Sequence, residues 1–362
     1  MGVSVLGDTA QAWLVAAHAS ASSGEIVGLV DADAGPGRVA LEVRYPDRRR
    51  RATIEVVPEP RAADACVIVA AADLDRQHEA LASNPSRLAG RIVVLAPGGA
   101  GGAVRAAATF AAASVPVPAL AEVPGFPVLG AVTGGTATIS AVKRHLPIGV
   151  LEATDASAVT ESVGPYLPDL VLAESVLATS LANTNNVVHP PLAILNAARI
   201  DAGVPFRFYR DGLSVAAAQL VEAVDHERLS VTDAVRLERV PIAEWFRRYY
   251  GDQGLAGDGI GPMLGTFEAF AESPGPATLR HRYLVDDVRS GLAVIEAVGQ
   301  RLGLRMPVTA ALCEIVSRLV GLDLRAGSAD LASELLERGR TAPSSPASRR
   351  GVLASAGSRE RS

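Results

Sequence analysis

The chain has 362 residues, of which 49% are hydrophobic, 20% charged and 4% aromatic. That is the composition of a folded protein with an aliphatic interior, and the length exceeds what one ordinary core needs. A formal charge of −5 gives no general attraction to phosphate backbones or anionic lipid, so neither nucleic acid nor a membrane is an expected partner. No apolar run approaches the roughly 20 residues of a membrane helix. The start, MGVSVLGDT, has no basic segment ahead of an apolar run, and position 6 is Leu6 where a myristoylation signal needs Ser or Thr. With Cys66 and Cys313 both in apolar surroundings, this reads as a cytoplasmic protein with reduced thiols.

In chain order, 3–6 (VSVL) is a short apolar strand that passes through Gly7 into an Ala-rich helix over 9–21, and a second strand follows at 26–30. This is a βαβ opening. Two β-rich runs within 39–57 flank Tyr45-Pro46-Asp47 and predict a hairpin. The runs 63–70 (ADACVIVA) and 91–95 (RIVVL) have the continuous apolar character of parallel strands buried on both faces. The segment 97-PGGAGGAVRAAATF-110 turns on glycines into a helix, and strands near 117–122 and 137–142 complete the sheet. From about residue 175 the periodicity becomes helical, over 173–182, 190–201, 212–226, 232–237, 242–250, 288–302 and 309–319. The expected fold is α/β: a Rossmann-type doubly wound sheet over 1–175 plus an all-helical C-terminal domain over 176–340. The last stretch, 341–362, is rich in Ser, Ala, Pro and Arg and reads as a disordered tail.

A dinucleotide site needs glycines at the first βα turn, because the backbone must turn tightly and let a pyrophosphate approach the helix N-terminus. Here the turn reads Gly7-Asp8-Thr9-Ala10-Gln11-Ala12. Gly7 and Ala12 fit the first and third positions of the G-x-G-x-x-G/A pattern; Thr9 replaces the second glycine, and Asp8 adds a negative charge. Asp31 ends the second strand, where a carboxylate can accept hydrogen bonds from an adenosine ribose; an acid there favours NAD over NADP. A plain strand-turn-helix with a solvated Asp31 is the alternative. Arg48 to Arg51, beside the hairpin turn, read as a solvated face.

Four segments resemble the opine dehydrogenase family of the octopine and nopaline dehydrogenase type: 95-LAPGGAGGAV-104, 183-NTNNVVHPPLAILNAARI-200, 208-FYRDGLSVAAAQLVEAVDHER-228 and 281-HRYLVDDVRSGLAVIEAVGQRLGL-304. They span some 200 residues in the family's order, and Ala16-Ala17-His18 and the strand ending in Asp31 also fit it. The glycine loop of the family is normally richer than 7–12. The resemblance implies an NAD(P)H-dependent enzyme that joins the amine of an amino acid to an α-keto acid by reductive condensation.

That chemistry requires loss of water and then hydride delivery to a protonated C=N carbon, both served by a proton carrier titrating near neutrality, which is the property of histidine. His189 is preceded by Asn185 and followed by Pro190-Pro191, a pair expected to set a helix start. The resemblance gives His189 the carboxylate partner Asp287, which from the residues alone reads equally as a helix-capping acid beside Asp286. It makes Arg282 the substrate arginine, whose planar fork suits a carboxylate. Asn185 is a candidate substrate or cofactor ligand, and Pro97, Gly98, Gly101 and Gly102 a candidate loop at the nicotinamide end. Glu122 reads as an exposed strand-end acid. Tyr209, Trp245, Phe246, Tyr249 and Tyr250 read as core or as contacts of a homodimer. No metal-ligand spacing and no nucleophile elbow is present, so neither metal nor covalent catalysis is expected. Two other functions remain open on these residues: a 2- or 3-hydroxy acid dehydrogenase on the same plan, and a non-redox binding protein with a degenerate 7–12 loop.

Overall fold

The computed structural model describes residues 2–7, 9–71, 73–83 and 85–341. Asp8 and 342–362, and with them nearly all of the expected tail, lie outside the described residues. Alternating burial explains the N-terminal half. In the run from Asp64, Cys66, Ile68 and Ala70 face one core while Val67 and Val69 face the other, as strands covered by helices on both sides must do.

Among the described residues eleven strands form one sheet: β1 Gly2–Leu6, β2 Val27–Val30, β3 Gly37–Arg44, β4 Arg49–Val57, β5 Asp64–Val69, β6 Ile92–Leu95, β7 Ala119–Glu122, β8 Val128–Thr133, β9 Thr136–Val142, β10 Leu146–Val150 and β11 Leu170–Leu172. Their order is β11-β10-β7-β6-β5-β1-β2-β4-β3-β9-β8. The six strands β4-β2-β1-β5-β6-β7 are all parallel, and their order reverses between β1 and β5. This is the Rossmann arrangement, with its ligand crevice at the carboxyl ends of those two strands. Tyr45-Pro46-Asp47 sits in the β3–β4 hairpin turn. β8 and β10 were not foreseen: Gly130 lies within β8 and Pro147 within β10, and both residue types weaken a strand pattern.

In this half the helices are α1 Ala10–Ser23, α2 Leu74–Ser83, α3 Pro85–Leu88, α4 Gly102–Ala112 and α5 Ala156–Val163. After β11 come α6 Val176–Leu181, α7 Thr184–Leu195, α8 Ala197–Asp201, α9 Val215–Ala234, α10 Ile242–Tyr250, α11 Ile260–Thr266, α12 Arg282–Asp287, α13 Ala293–Arg301, α14 Pro307–Val320 and α15 Ser328–Thr341. A π-helical turn, Val288–Leu292, joins α12 to α13. An isolated bridge, Arg207 to Pro274, is the β pairing described in this region outside named strands.

Three expectations are corrected. The prolines 190 and 191 lie inside α7 and do not start it: Asn183 caps the helix, its side chain accepting from the Asn185 amide at 3.0 Å. That cap begins the helix six residues earlier, and the prolines interrupt its hydrogen bonds instead. The segments 212–226 and 232–237 are largely one helix, α9, inside which the Thr232 hydroxyl bonds back to the Arg228 carbonyl at 3.1 Å. The third is α15, which was not expected: it runs to Thr341 and packs on α4, α6 and α13, so the C-terminal segment returns to the sheet domain.

Candidate functional site

A crevice beside the switch point, at the carboxyl ends of β5 and β6, is lined from both halves of the chain. Ala71, Asp73, Leu74 and Gln77 follow β5, Pro97 and Gly99 follow β6, and Asn183, Asn185, Arg282, Asp286, Asp287 and Ser290 come from the helical part, around a space of about 350 Å³. The π turn couples the two sides. One extra residue per turn leaves a carbonyl outside the helical ladder, and the Ser290 carbonyl accepts from the Ala100 amide at 2.5 Å. Gly291 makes room for this packing: a Cβ there would sit 2.2 Å from the Asn186 side chain.

At its inner end α7 presents His189, which is 4% exposed, to Asp287 at the end of α12. His189 Nδ1 donates to Asp287 Oδ2 at 2.6 Å, and Tyr209 OH lies 3.0 Å from Nε2. Tyr283 stacks on the imidazole with centroids 3.9 Å apart. Burial holds the His189 pKa below its ordinary value, against the pull of Asp287. Burial also opposes ionisation of Asp287, but the hydrogen bond from His189, together with the charge of Arg282, outweighs it and keeps this carboxyl below the usual carboxylate range. The consistent state is an ionised Asp287, a neutral imidazole protonated on Nδ1, and a basic Nε2 that accepts from Tyr209. Arg282 lies 4.0 Å from Asp287 Oδ1, and its Nε is buried without a hydrogen-bond partner. Asn185 lines the crevice one helical turn before His189.

The first βα turn is built differently. A Cβ on Gly7 would meet the Ala70 carbonyl oxygen at 2.5 Å and Ala12 Cβ at 2.9 Å, so glycine is required where β1, β5 and α1 converge. Thr9 is the N-cap of α1 and accepts from the Ala12 amide at 3.3 Å. Asp31 is buried at the tip of β2. Its Oδ2 accepts from the Trp13 indole at 2.7 Å, and its Oδ1 from the amides of Asp33 and Ala34 at 3.0 and 3.2 Å. Strand order, a turn with no room for a Cβ, and an acid at the end of β2 fit a dinucleotide.

The loop after β6 divides. Pro97 lines the crevice, and its carbonyl accepts from Gln77 Nε2 at 2.7 Å. Gly98 instead lets the backbone lie on Glu122, whose Cβ a methyl group there would meet at 2.6 Å, and Gly101 faces Leu331 of α15. The Gly98 amide bonds the Val123 carbonyl and the Gly101 amide the Ser180 hydroxyl. Glu122 is not the exposed acid expected from its strand-end position. It is fully buried under the N-terminus of α4, accepting from the Ala103 amide at 2.7 Å and the Thr179 hydroxyl at 2.8 Å, and burial raises it to about 7. Phe246, Tyr249 and Tyr250 are buried with Phe267 and Phe270 in the main core.

Sequence reasoning assigned Tyr209 to packing and passed over Tyr283. Their proximity to His189 and Arg282 in the quoted segments was the available signal. Lys143, which follows β9, carried no signal; its burial and its influence on His189 arise from tertiary packing.

Residues 172–320 match the family model described as the NAD/NADP octopine/nopaline dehydrogenase alpha-helical domain. Over 237 residues the chain is 30% identical to the opine dehydrogenase of Arthrobacter sp. (strain 1C), a match that covers 65% of this chain and 65% of that protein, just short of two thirds of the relative's length. In fold, 94% of the chain superposes on 95% of an octopine dehydrogenase with NADH and L-arginine, with a TM-score of 0.67 at 17% identity. It likewise superposes on 99% of a yersinopine dehydrogenase with NADP+ bound, with a TM-score of 0.62 at 14% identity. His189, Arg282 and Asp287 all lie within the segment matched by that family model, and the chain is similar to opine dehydrogenases there.

Proposed function

We propose that this chain is an opine-type dehydrogenase that condenses the amine of an amino acid with an α-keto acid and reduces the product to a secondary amine, using a nicotinamide cofactor. The observation that carries the reading is the buried Asp287–His189–Tyr209 chain beside Arg282, at the carboxyl ends of a Rossmann sheet. Asp287 fixes the tautomer and orientation of His189, and its negative charge stabilises the imidazolium when Nε2 takes up a proton. His189 accepts a proton from the attacking amine and returns it to the carbinolamine hydroxyl, which leaves as water and so forms the C=N bond. Tyr209 holds Nε2 until the substrate enters and then donates to the oxygen that replaces it. Arg282 binds a carboxylate, and its unpartnered Nε supports that role.

The cofactor would be held by Gly7, Thr9, Ala12 and Asp31 at the first βα turn and by Pro97 and its loop; when bound, it supplies hydride to the carbon of the C=N bond. We assign NADH over NADPH on Asp31, because a buried carboxylate at the end of β2 repels a 2′-phosphate. The relatives named above include both an NADH and an NADP+ complex. The domain boundary near residue 175 belongs to the same reading, supported by the last strand ending at Leu172 and the next helix starting at Val176. So does a cytoplasmic location, supported by two buried free thiols.

The test is NAD(P)H oxidation with keto acids in the presence and absence of amino acids, alongside titration of the protein with NADH and NADPH. Turnover that needs both substrates is expected. Equal turnover of a keto acid alone would make the chain a hydroxy acid dehydrogenase, and no binding of either dinucleotide would refute every dehydrogenase reading.

A further inference from the structure

Asn186 lies on α7 three residues before His189 and is 0% exposed, yet neither its amide nitrogen nor its amide oxygen has a hydrogen-bond partner among the described residues. Unpaired polar atoms in the interior are costly, so hydrogen bonding does not account for this side chain. What it touches is the π turn. A Cβ on Gly291 would come within 2.2 Å of Asn186 Cγ and 2.5 Å of both terminal atoms of the amide, so the amide rests on a bare Cα.

Two contacts join α7 to the segment formed by α12 and the π turn. Along α7 Asn186 comes three residues before His189, and along the facing segment Gly291 comes four residues after Asp287. The two chains therefore pass in opposite directions, with the steric contact of 186 and 291 at one end and the 2.6 Å bond of His189 to Asp287 at the other. At the rise of a helix these contacts are about 4.5–6 Å apart. The π turn has no slack on its far side. The Ser290 carbonyl accepts from the Ala100 amide at 2.5 Å, the Ser290 hydroxyl donates to the Asp286 carbonyl at 2.7 Å, and a Cβ on Gly99 would meet Ser290 Oγ at 2.9 Å. The segment is clamped between α7 and the loop after β6. An atom added at position 291 must then either displace the stretch that carries Asp287 or drive the Asn186 side chain from its place.

We propose that Asn186 and Gly291 are positioning residues: the amide seated on the bare glycine is a spacer that sets the distance between α7 and α12 and so holds Asp287 within hydrogen-bond reach of His189. This inference rests on the opine-type reading for the use made of that pair, while its geometry stands on the contacts themselves. Shape is what the spacer supplies. A short bond between an imidazole and a carboxylate weakens steeply as its ends separate, so a small change in helix spacing reaches the proton carrier directly.

The test reads the far-downfield proton resonance of His189 Nδ1, the signature of a short imidazole–carboxylate bond, in the full-length protein; His189→Asn identifies it by its loss. In Gly291→Ala this signal is expected to vanish or move upfield and kcat to fall about tenfold to a hundredfold, with NADH affinity little changed. Asn186→Ala added to Gly291→Ala removes what the new methyl group strikes, and should restore the signal and most of the rate. Asn186→Leu keeps the branch at Cγ and discards the amide; it should keep the signal and melt no lower than the wild type. An unchanged signal or rate in Gly291→Ala overturns the assignment, because the amide has then swung aside. Loss of the signal, or of the fold, in Asn186→Leu overturns it too, since the polarity of the amide would matter and not its shape. Where Gly291→Ala fails to fold, the double variant decides: a folded protein with the signal supports the spacer, and failure to fold or to show the signal overturns it. A wild type without the resonance has the same consequence. If the signals behave as expected but the wild type turns over no amino acid with a keto acid, the spacer stands and the opine-type reading alone falls.

Discussion

The first βα turn and the surroundings of His189 treat their charged groups differently. At the first βα turn Thr9 caps α1 and both oxygens of Asp31 are engaged by Trp13 and two amides, while the buried Gln11 Oε1 has no partner. Around His189 the balance is open, with an unpartnered Arg282 Nε and an imidazole nitrogen held by a phenol. Asp31, already engaged, must exchange hydrogen bonds to bind a ligand. On the helical side the Arg282 Nε is a free donor that an anionic substrate can complete, so ligand stabilisation is expected to come mostly from that side.

The sharpest break of this comparison is His189→Asn. The amide can still donate to Asp287 but cannot carry a proton, so turnover should fall by about 10²–10⁴-fold, while calorimetric titration finds NADH affinity within a few-fold of wild type. Wild-type turnover in that variant would move the chemistry elsewhere in the crevice. Gly7→Ala attacks the other side. Its methyl group meets the Ala70 carbonyl, and denaturation should report a loss of about 1–3 kcal/mol together with weakened dinucleotide binding.

Acid sensitivity also separates the regions. His18, buried behind the turn and bonded to Tyr45 at 2.9 Å, is lowered to about 4, chiefly by burial. Between that value and the ordinary 6.5 the unfolded chain binds a proton that the folded chain refuses, so this contribution to stability is complete above pH 6.5 and is lost as the pH falls toward 4. Glu122, raised to about 7, acts in the opposite sense, its contribution fading as the pH rises from 4.5 to 7. Comparison with His18→Gln isolates the histidine: from pH 7.5 to 4.5 the wild type should lose about 2–3 kcal/mol more than the variant, measured by urea unfolding at both pH values. The smallest expected effect is that of Arg282→Lys, which keeps the charge but not the fork. KM for the carboxylate substrate should rise about tenfold with a smaller change in kcat. An unaltered KM would place the carboxylate on another residue.

Much of the fold was legible because burial on both faces leaves continuous apolar runs such as CVIV and IVVL, and because Tyr45-Pro46-Asp47 marks its own turn. β8 and β10 escaped through Gly130 and Pro147, whose strand positions are tolerated by neighbours that no local window contains. The start of α7 was misplaced because two adjacent prolines outweighed a capping Asn183 in a local reading. Glu122 was misread for a related reason: an acid at a strand end is ordinarily solvated, and only the arrival of α4 and α6 above it makes it buried.

By itself, the order of residues determined the layered α/β half, the helical half, and the chemical types at His189, Arg282 and Asp287, since periodicity and side-chain chemistry are local properties. Tertiary structure alone decided the rest. It brought Asp287 to His189 across 98 residues, turned Tyr209 from packing to the imidazole, gave Oδ2 of Asp31 to Trp13, and left Lys143 buried. Each of these depends on which groups share a dry, low-dielectric space, and that is set by how distant segments pack.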